Sequence, residues 1–501
     1  MKNVCFRKQL VYWLFLAVAL FIVSCSGNED EPVLPEEETQ EQIHSDVSGS
    51  TVVNTGKIVI GLDENDFVYT RIATVLKPNG WKRKNVIECC GMFAVPLLAG
   101  ENAEDTLKSV VNATLINRGT IEIHTKKLIE KYQSLLYNPE SDDPQEDAYE
   151  YLRFFGITAI GDNCTLINEG LIDVYLDHDP NTPLWVYCFA MAGSKDSQMI
   201  NKGTIRFSGN GSRRTRVRGI GMLGNGGTGI NDGTIEMDIA MAEDSRMITC
   251  GSDYCDIVNN GIMKGRAPGT LLGLTHYGLN TIVNNNLIDL TSTGIPEGDR
   301  SVLEDDVNIV TAFYEAFNKA RFDGIPPLVN KGTVNIRIEG TASTAESFQG
   351  YGMMVDMISN CKRSLTIVNE GTIKTSQSGP RHYNMAEAGF ICREDTKEES
   401  CHIVLGQWNT TLRDFSKTRD LFLAKGVDMD FSAGDIRLTK PEGYVDGTAY
   451  SVAPEHLMYN AGEGGDFIYE YHGYDQMVFS AADSQTKINW NKDNQTVSLT
   501  K

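Results

Sequence analysis

The chain has 501 residues, 67 of them acidic against 45 basic, and a formal net charge of −22. So acidic a surface repels phosphate backbones and anionic bilayers, which excludes nucleic acid and the bilayer surface as expected partners of the folded body. Eleven cysteines occur without any pair of CxxC units, which argues against a structural zinc site.

The first element in chain order is a targeting segment. Lys2, Arg7 and Lys8 precede an apolar run over residues 9–23, shorter than the ~20 residues a membrane span wants. The run ends in Ile22-Val23-Ser24-Cys25. This resembles the lipobox of bacterial lipoproteins, and the resemblance implies removal of residues 1–24 and acylation of Cys25. Loss of the three basic residues takes the formal charge from −22 to −25. Nine cysteines then remain after Cys25, an odd and unpatterned set that does not suggest a disulfide framework. Cys188, Cys250 and Cys392 sit in apolar runs and read as small core residues.

Residues 25–55 read as an acidic tether. From Ser26 to Gly56 there is no Lys or Arg, but there are eight acids, among them Glu29, Asp30 and Glu31. Such a segment buries too little apolar surface to offset its ordering entropy. SGNEDE after the cysteine resembles the surface-export signal of Bacteroides-type lipoproteins. The expected location is therefore the outer membrane, lipid-anchored and facing the cell exterior, with a periplasm-facing anchor as the alternative.

The body, residues 56–405, is dominated by a repeat. INRGTIEI at 116–123 returns as LINEGLIDV, MINKGTIRF, GINDGTIEM, IVNNGIMKG, IVNNNLIDL, LVNKGTVNI and IVNEGTIKT. The repeated asparagines are Asn117, Asn168, Asn201, Asn231, Asn259, Asn284, Asn330 and Asn369, at intervals of 51, 33, 30, 28, 25, 46 and 39 residues. The short intervals set the unit and the long ones mark insertions. Two residues after each asparagine stands Gly, or Asn286 in one copy, which predicts a left-handed turn. A period-2 strand follows, with Ile116 and Ile121 expected to face the core. No helical pattern links the units. The expected fold is all-β: a right-handed single-stranded parallel β-helix with short helical insertions. Coils stack ~4.8 Å apart, so the asparagines should form an amide ladder. Five residues after each asparagine stand Glu122, Asp173, Arg206, Glu236, Lys264, Asp289, Asn335 and Lys374, and two further on Asp238 should neighbour Arg266. Residues 57–110 should form the first coils without a recognisable motif.

Two insertions carry helical spacing, residues 126–137 and residues 303–320. Residues 406–501 read as the last coils and a C-terminal β-rich cap, with a hairpin turn at Asn491-Lys492-Asp493-Asn494. Tyr444, Tyr450, Tyr459, Tyr469, Tyr471, Tyr474 and Trp490 there suit either a sugar-stacking platform or cross-strand packing.

Candidate chemistry is sparse. A glycoside hydrolase needs two carboxylates facing one groove, and Glu122 with Asp173 is the one pair that stacking would bring together. Asp305 and Asp306 read as solvated acids at a helix start. Asp177, His178 and Asp179 have the residue types for calcium but sit in a proline-rich loop. His276 resembles loosely the Gly-His-Gly element of polygalacturonase-like enzymes, whose other elements are missing. GxGxxG at Gly219, Gly221 and Gly224 has no helix after it and reads as a glycine-rich coil.

The recurring unit resembles the repeats of adhesin-like and autotransporter-like β-helix proteins over roughly residues 85–400. The resemblance implies a surface-anchored binding or scaffold module for glycans or host surface proteins. A polysaccharide-active enzyme, lyase or hydrolase, is the alternative. No catalytic residue, metal site or cofactor is assigned, the ligand-binding residues are unassigned, and Cys25 is the sole lipidation site.

Overall fold

The computed structural model describes residues 39–62, 66, 68–77, 80–94, 110–136, 151–251, 254–276 and 281–294. Beyond these it describes 307–317, 328–339, 347–357, 364–377, 385–394, 401–408, 419–423, 427–430, 456–460, 466–470, 487–491 and 496–500. The signal segment, Cys25 and the acidic run up to Glu38 lie outside the described residues, as do Asp305, Asp306, Tyr444, Tyr450, Tyr471 and Tyr474.

Each repeat is one coil of a right-handed parallel β-helix. Three sheets run the length of the stack, with 13, 10 and 12 strands. Sheet 1 holds the short strands that end in the asparagine, such as Thr114–Asn117 and Thr165–Asn168. Sheet 2 holds the strands after the turn, such as Thr120–His124 and Leu171–Leu176. Sheet 3 closes the coil with longer strands, such as Tyr151–Ala159 and Trp185–Gly193. Neighbours along the repeat pair in parallel and in register, asparagine on asparagine. Crossover connections between parallel strands of one sheet take the right hand because of strand twist.

The ladder is continuous. Asn117 donates Nδ2–H to Asn168 Oδ1 at 2.8 Å, Asn168 to Asn201 at 2.8 Å, and so on to Asn330, which donates to Asn369 at 2.7 Å. Most rungs give the second amide hydrogen to a backbone carbonyl of the next coil, as Asn201 does to Thr234 at 3.1 Å. All these asparagines are fully buried. The ladder also starts one coil earlier than the repeat suggests. Asn54 donates to Asn117 at 2.7 Å, and Val52-Val53-Asn54-Thr55-Gly56-Lys57-Ile58 is a further copy of the motif. Strands Thr39–Gln40, Ile43–Ser45 and Thr51–Asn54 pair into the three sheets, so the solenoid begins within the stretch read as tether.

Two details of the turn differ from expectation. The repeat glycines do not have positive φ. They are required instead by close approach: a Cβ on Gly170, Gly203 or Gly261 would sit 2.0 Å from the carbonyl oxygen of the equivalent glycine one coil earlier. At each such turn two successive N–H groups converge on the previous asparagine's carbonyl, as Lys202 and Gly203 do on Asn168 at 2.7 and 2.9 Å. Asn286, the one copy with a Cβ, shows the cost. Only Asn285 reaches Asn259, the Asn286 N–H turns to Asn284 Oδ1, and the next bond, Leu287 to Gly261, stretches to 3.4 Å. Secondly, Ile116 is half-buried and faces outward, while Leu115 is in the core. With the asparagine pointing inward, period 2 requires its predecessor to point out. Ile121 is buried as expected.

One insertion is helical and the other is not. Helix α1, Lys126–Leu136, buries Leu128 and Ile129 in the core. Residues 307–317, expected within a helix, form strand Val307–Phe317 of sheet 3, paired on Thr270–His276 with Val310, Ala312 and Phe313 buried. An open sheet edge and a run rich in Val, Ile, Phe and Tyr outweigh helical spacing. Toward the C-terminus, His456–Asn460 pairs antiparallel with Asp466–Glu470, and Lys487–Asn491 with Thr496–Thr500, the latter being the anticipated hairpin. Cys188 is a buried core thiol, whereas Cys250, read as a plain core residue, forms a disulfide with Cys255 across the turn between sheets 3 and 1.

Candidate binding surfaces

The outward columns of sheet 2 have the predicted register. Glu122 neighbours Asp173, Arg206 neighbours Glu236, and Asp238 neighbours Arg266. The candidate acid pair is thus adjacent, but both carboxylates are engaged. Lys57 lies 3.0 Å from Glu122, and His124 Nε2 2.8 Å from its other oxygen. Asp173 is buried under the Arg206 guanidinium, whose Nε donates to it at 2.9 Å, and accepts the Tyr175 hydroxyl at 2.8 Å. Farther along, the Arg337 guanidinium comes to 3.0 Å from Asp289. Between them a shallow depression of about 470 Å³ opens on this face, lined by Arg206, Glu236, Asp238, Lys264, Arg266 and Arg337 among others.

The calcium-type residues serve another purpose. Asp177 Oδ1 accepts the backbone N–H groups of Thr125 and Lys126 at 2.9 and 2.8 Å, capping α1 from the following coil. Burial works to raise its pKa, but hydrogen bonds from His124, Lys126 and Thr125 hold it at about 2 against an ordinary 3.8. His124 is raised in turn, first by its hydrogen bond to Asp177 and then by Glu122, against the opposing effect of burial. Its ring stacks on Tyr175 at 4.9 Å. His178 is buried between the hydroxyls of Thr125 and Thr215, at 2.8 and 2.9 Å, and burial lowers its pKa to about 4. Asp179 accepts from Asn181 in a local turn. Among the described residues no cluster has metal-ligand geometry.

His276 does not reach a surface. It is fully buried, with Nδ1 3.0 Å from the carboxylate of Glu315, itself 2 % exposed. Burial raises the Glu315 pKa, opposed by His276. The glycine-rich segment is a plain coil: Gly219 and Gly221 lie in strand Thr215–Met222, and Gly226 turns with φ 76°.

Sheet 3 carries a constellation not anticipated from the sequence. Arg153, Tyr187, Arg216 and Asp244 succeed one another in one column, with Glu88 before Arg153. In the next column Phe155 and Phe189 stack at 5.1 Å and are followed by Arg218 and Arg246. Arg216 lies 4.5 Å over the Trp185 ring, donates to Tyr187 Oη at 2.9 Å and grips Glu243 with two nitrogens at 2.8 and 3.1 Å. Asp244 accepts from both Arg218 and Arg246, at 2.7 and 2.8 Å. Burial pushes its carboxyl up, but these two guanidiniums hold it well below the usual carboxylate range. The signal was present in Arg213-Arg214-Thr215-Arg216-Val217-Arg218, an alternating basic run in an acidic chain.

A family model described as the BigA third pectate lyase-like domain matches residues 33–235, somewhat under half of the chain. The chain is a β-helix repeat protein. The matched span includes Asn54 and the early coils, and also Trp185, Tyr187 and Arg216 of sheet 3. No curated protein and no solved structure matches the chain significantly.

Proposed function

We propose that the protein is a non-enzymatic β-helix module, anchored at the outer surface of the cell through acylated Cys25, that binds glycans or host surfaces along its outward faces. The observation that carries this reading is the engagement of the acid pair. A hydrolase needs one carboxyl able to give a proton and a second able to attack or to activate water. Glu122 is instead shared between Lys57 and His124, and Asp173 between Arg206 and Tyr175. Sheet 3 supplies groups suited to binding. Tyr187, half-buried at this face, presents part of a flat apolar ring, flanked by the Arg153 and Arg216 guanidiniums. Such groups suit a sugar ring carrying hydroxyls and carboxylates.

The pectate lyase-like match favours a second reading, a polysaccharide-active enzyme. One experiment separates the two. The purified protein is screened on a glycan array and assayed in parallel for release of unsaturated or reducing ends. Binding without turnover, weakened about tenfold by Tyr187→Ala, supports the binding module. Turnover of any bound glycan overturns it.

A further inference from the structure

The outward face of sheet 2 has a charge pattern with a centre. Strand by strand, the two outward columns that carry charge hold Glu122 and His124, Asp173 and Tyr175, Arg206 and Ser208, Glu236 and Asp238, Lys264 and Arg266, Asp289 and Thr291, Asn335 and Arg337, then Lys374. The signs reverse about the midpoint between strands Thr234–Met241 and Ile262–Ala267. Pairing within the chain accounts for the flanks, where Arg206 takes Asp173 and Arg337 takes Asp289. At the centre it accounts only for Arg266, which reaches Glu339 at 3.3 Å. Glu236, Asp238 and Lys264 have no ion-pair partner among the described residues, although they occupy adjacent strands. Asp238, Lys264 and Arg266 are exposed, and the depression lies at this place.

We infer that this face docks a second copy of the chain about a two-fold axis parallel to the strands, passing between those two central strands. That operation lays each strand of sheet 2 over its counterpart across the midpoint and keeps the columns aligned. Glu236 then opposes Lys264 of the second copy, Asp238 opposes Arg266, Arg206 opposes Asp289, and Glu122 opposes Lys374. No like charges meet in these two columns. An axis along the stack fails the same test, because it sets each strand against itself, so that Glu236 and Asp238 meet acids of the second copy. The eight strands from Thr120–His124 to Thr372–Gln377 make a face about 35 Å by about 20 Å at ordinary strand spacings. That is roughly 700 Å² per partner, close to the ~800 Å² of a standard specific interface. An isologous contact needs a self-complementary surface, and alternating charge with an antisymmetric centre provides one. The contact is polar, so it is salt-sensitive: screening at ~0.15 M ionic strength already shortens electrostatic reach to ~8 Å.

The test is sedimentation velocity of the purified protein at low and high ionic strength, with two charge-reversed variants. The wild type is expected to be dimeric at low salt and to dissociate as salt rises. Glu236→Lys with Asp238→Lys, and separately Lys264→Glu with Arg266→Glu, should each be monomeric, since each meets like charge across the axis. Mixing the two variants should restore a one-to-one dimer, because every central pair is then opposite in sign. Circular dichroism and a melting curve show whether each variant keeps the β-helix, and the mixing experiment is read only on folded variants. If a variant unfolds, the paired neutral forms Glu236→Gln with Asp238→Asn and Lys264→Gln with Arg266→Gln replace it, and each should lower the dimer fraction at low salt. A wild type that stays monomeric at low salt, or folded variants that fail to recombine, would overturn the inference.

Discussion

Two ladders run side by side along this solenoid and obey opposite rules. The buried column repeats one residue, asparagine, from Asn54 to Asn369. The exposed column of sheet 2, a few residues on, never holds one residue type for long. The difference follows from the chemistry of the side chains. A carboxamide is donor and acceptor at once, so identical copies satisfy one another without limit. A charged group repels its own copy, so a column of charges gains by alternating, as this one does from Asp173 to Asp289, while the adjacent acids Glu122 and Asp173 are each neutralised by basic groups beside them. A repeated motif therefore marks what the interior needs, and its variable positions mark where the outside is free to change.

The contrast can be broken most severely from inside. Asn201→Ala strands the Asn168 amide and the Asn231 carbonyl in the core, and should cost roughly 2–4 kcal/mol, read from denaturant unfolding. Asn369→Ala should cost distinctly less, because its Nδ2 has no partner among the described residues and only the bond from Asn330 is lost. Equal losses at the two sites would show that the ladder does not act rung by rung. Gly203→Ala forces a Cβ toward the Gly170 carbonyl and should cost about 1–3 kcal/mol, with the Lys202 amide losing its protection from hydrogen exchange.

Effects shrink toward the surface. Asp177→Asn weakens the cap on α1 and should cost about 1–2 kcal/mol at neutral pH. Because the folded pKa is depressed, the contribution of Asp177 is present above 3.8 and is lost as pH falls toward about 2, so wild type and variant should converge in stability over that window. His124 runs the other way. Its folded pKa is raised, so its contribution is complete below its unfolded value near 6.5 and drains as pH rises through the higher folded value. A His124→Gln variant should flatten that alkaline slope. Smallest of all, Glu236→Gln should change monomer stability by less than ~0.5 kcal/mol, as expected of a partly exposed charge with no ion-pair partner among the described residues.

The parts of this fold that read cleanly were those with a period. Eight asparagines at the end of short apolar runs could mean little else than a stacked coil, and the register of Arg206 on Glu236 followed directly. Asn54 escaped because its copy of the motif abuts an acidic stretch and is separated from Asn117 by the hairpin of Val68–Lys77 and Gly80–Ala94. The outward direction of Ile116 was derivable: a buried asparagine in an alternating strand leaves its predecessor no inward place. The glycine column was harder, since glycine signals positive φ and close approach alike, and only coordinates tell them apart. Sheet 3 resisted because many of its strands are buried on both faces, which erases alternation. That same loss of pattern let Val307–Phe317 pass for a helix. The Arg216 cluster depends on Glu243 and Asp244 meeting it from the next coil, which no local window contains.

The ladder has a mechanical consequence. Its amide bonds, like those of all three sheets, point along the stack, so a pull along that axis loads every bond of one coil interface together. Once an interface yields, the 28 residues between Asn231 and Asn259 pass from a rise of one strand spacing to a thread of about 95 Å. The protein should therefore lengthen under tension in discrete steps whose sizes follow the intervals between successive asparagines.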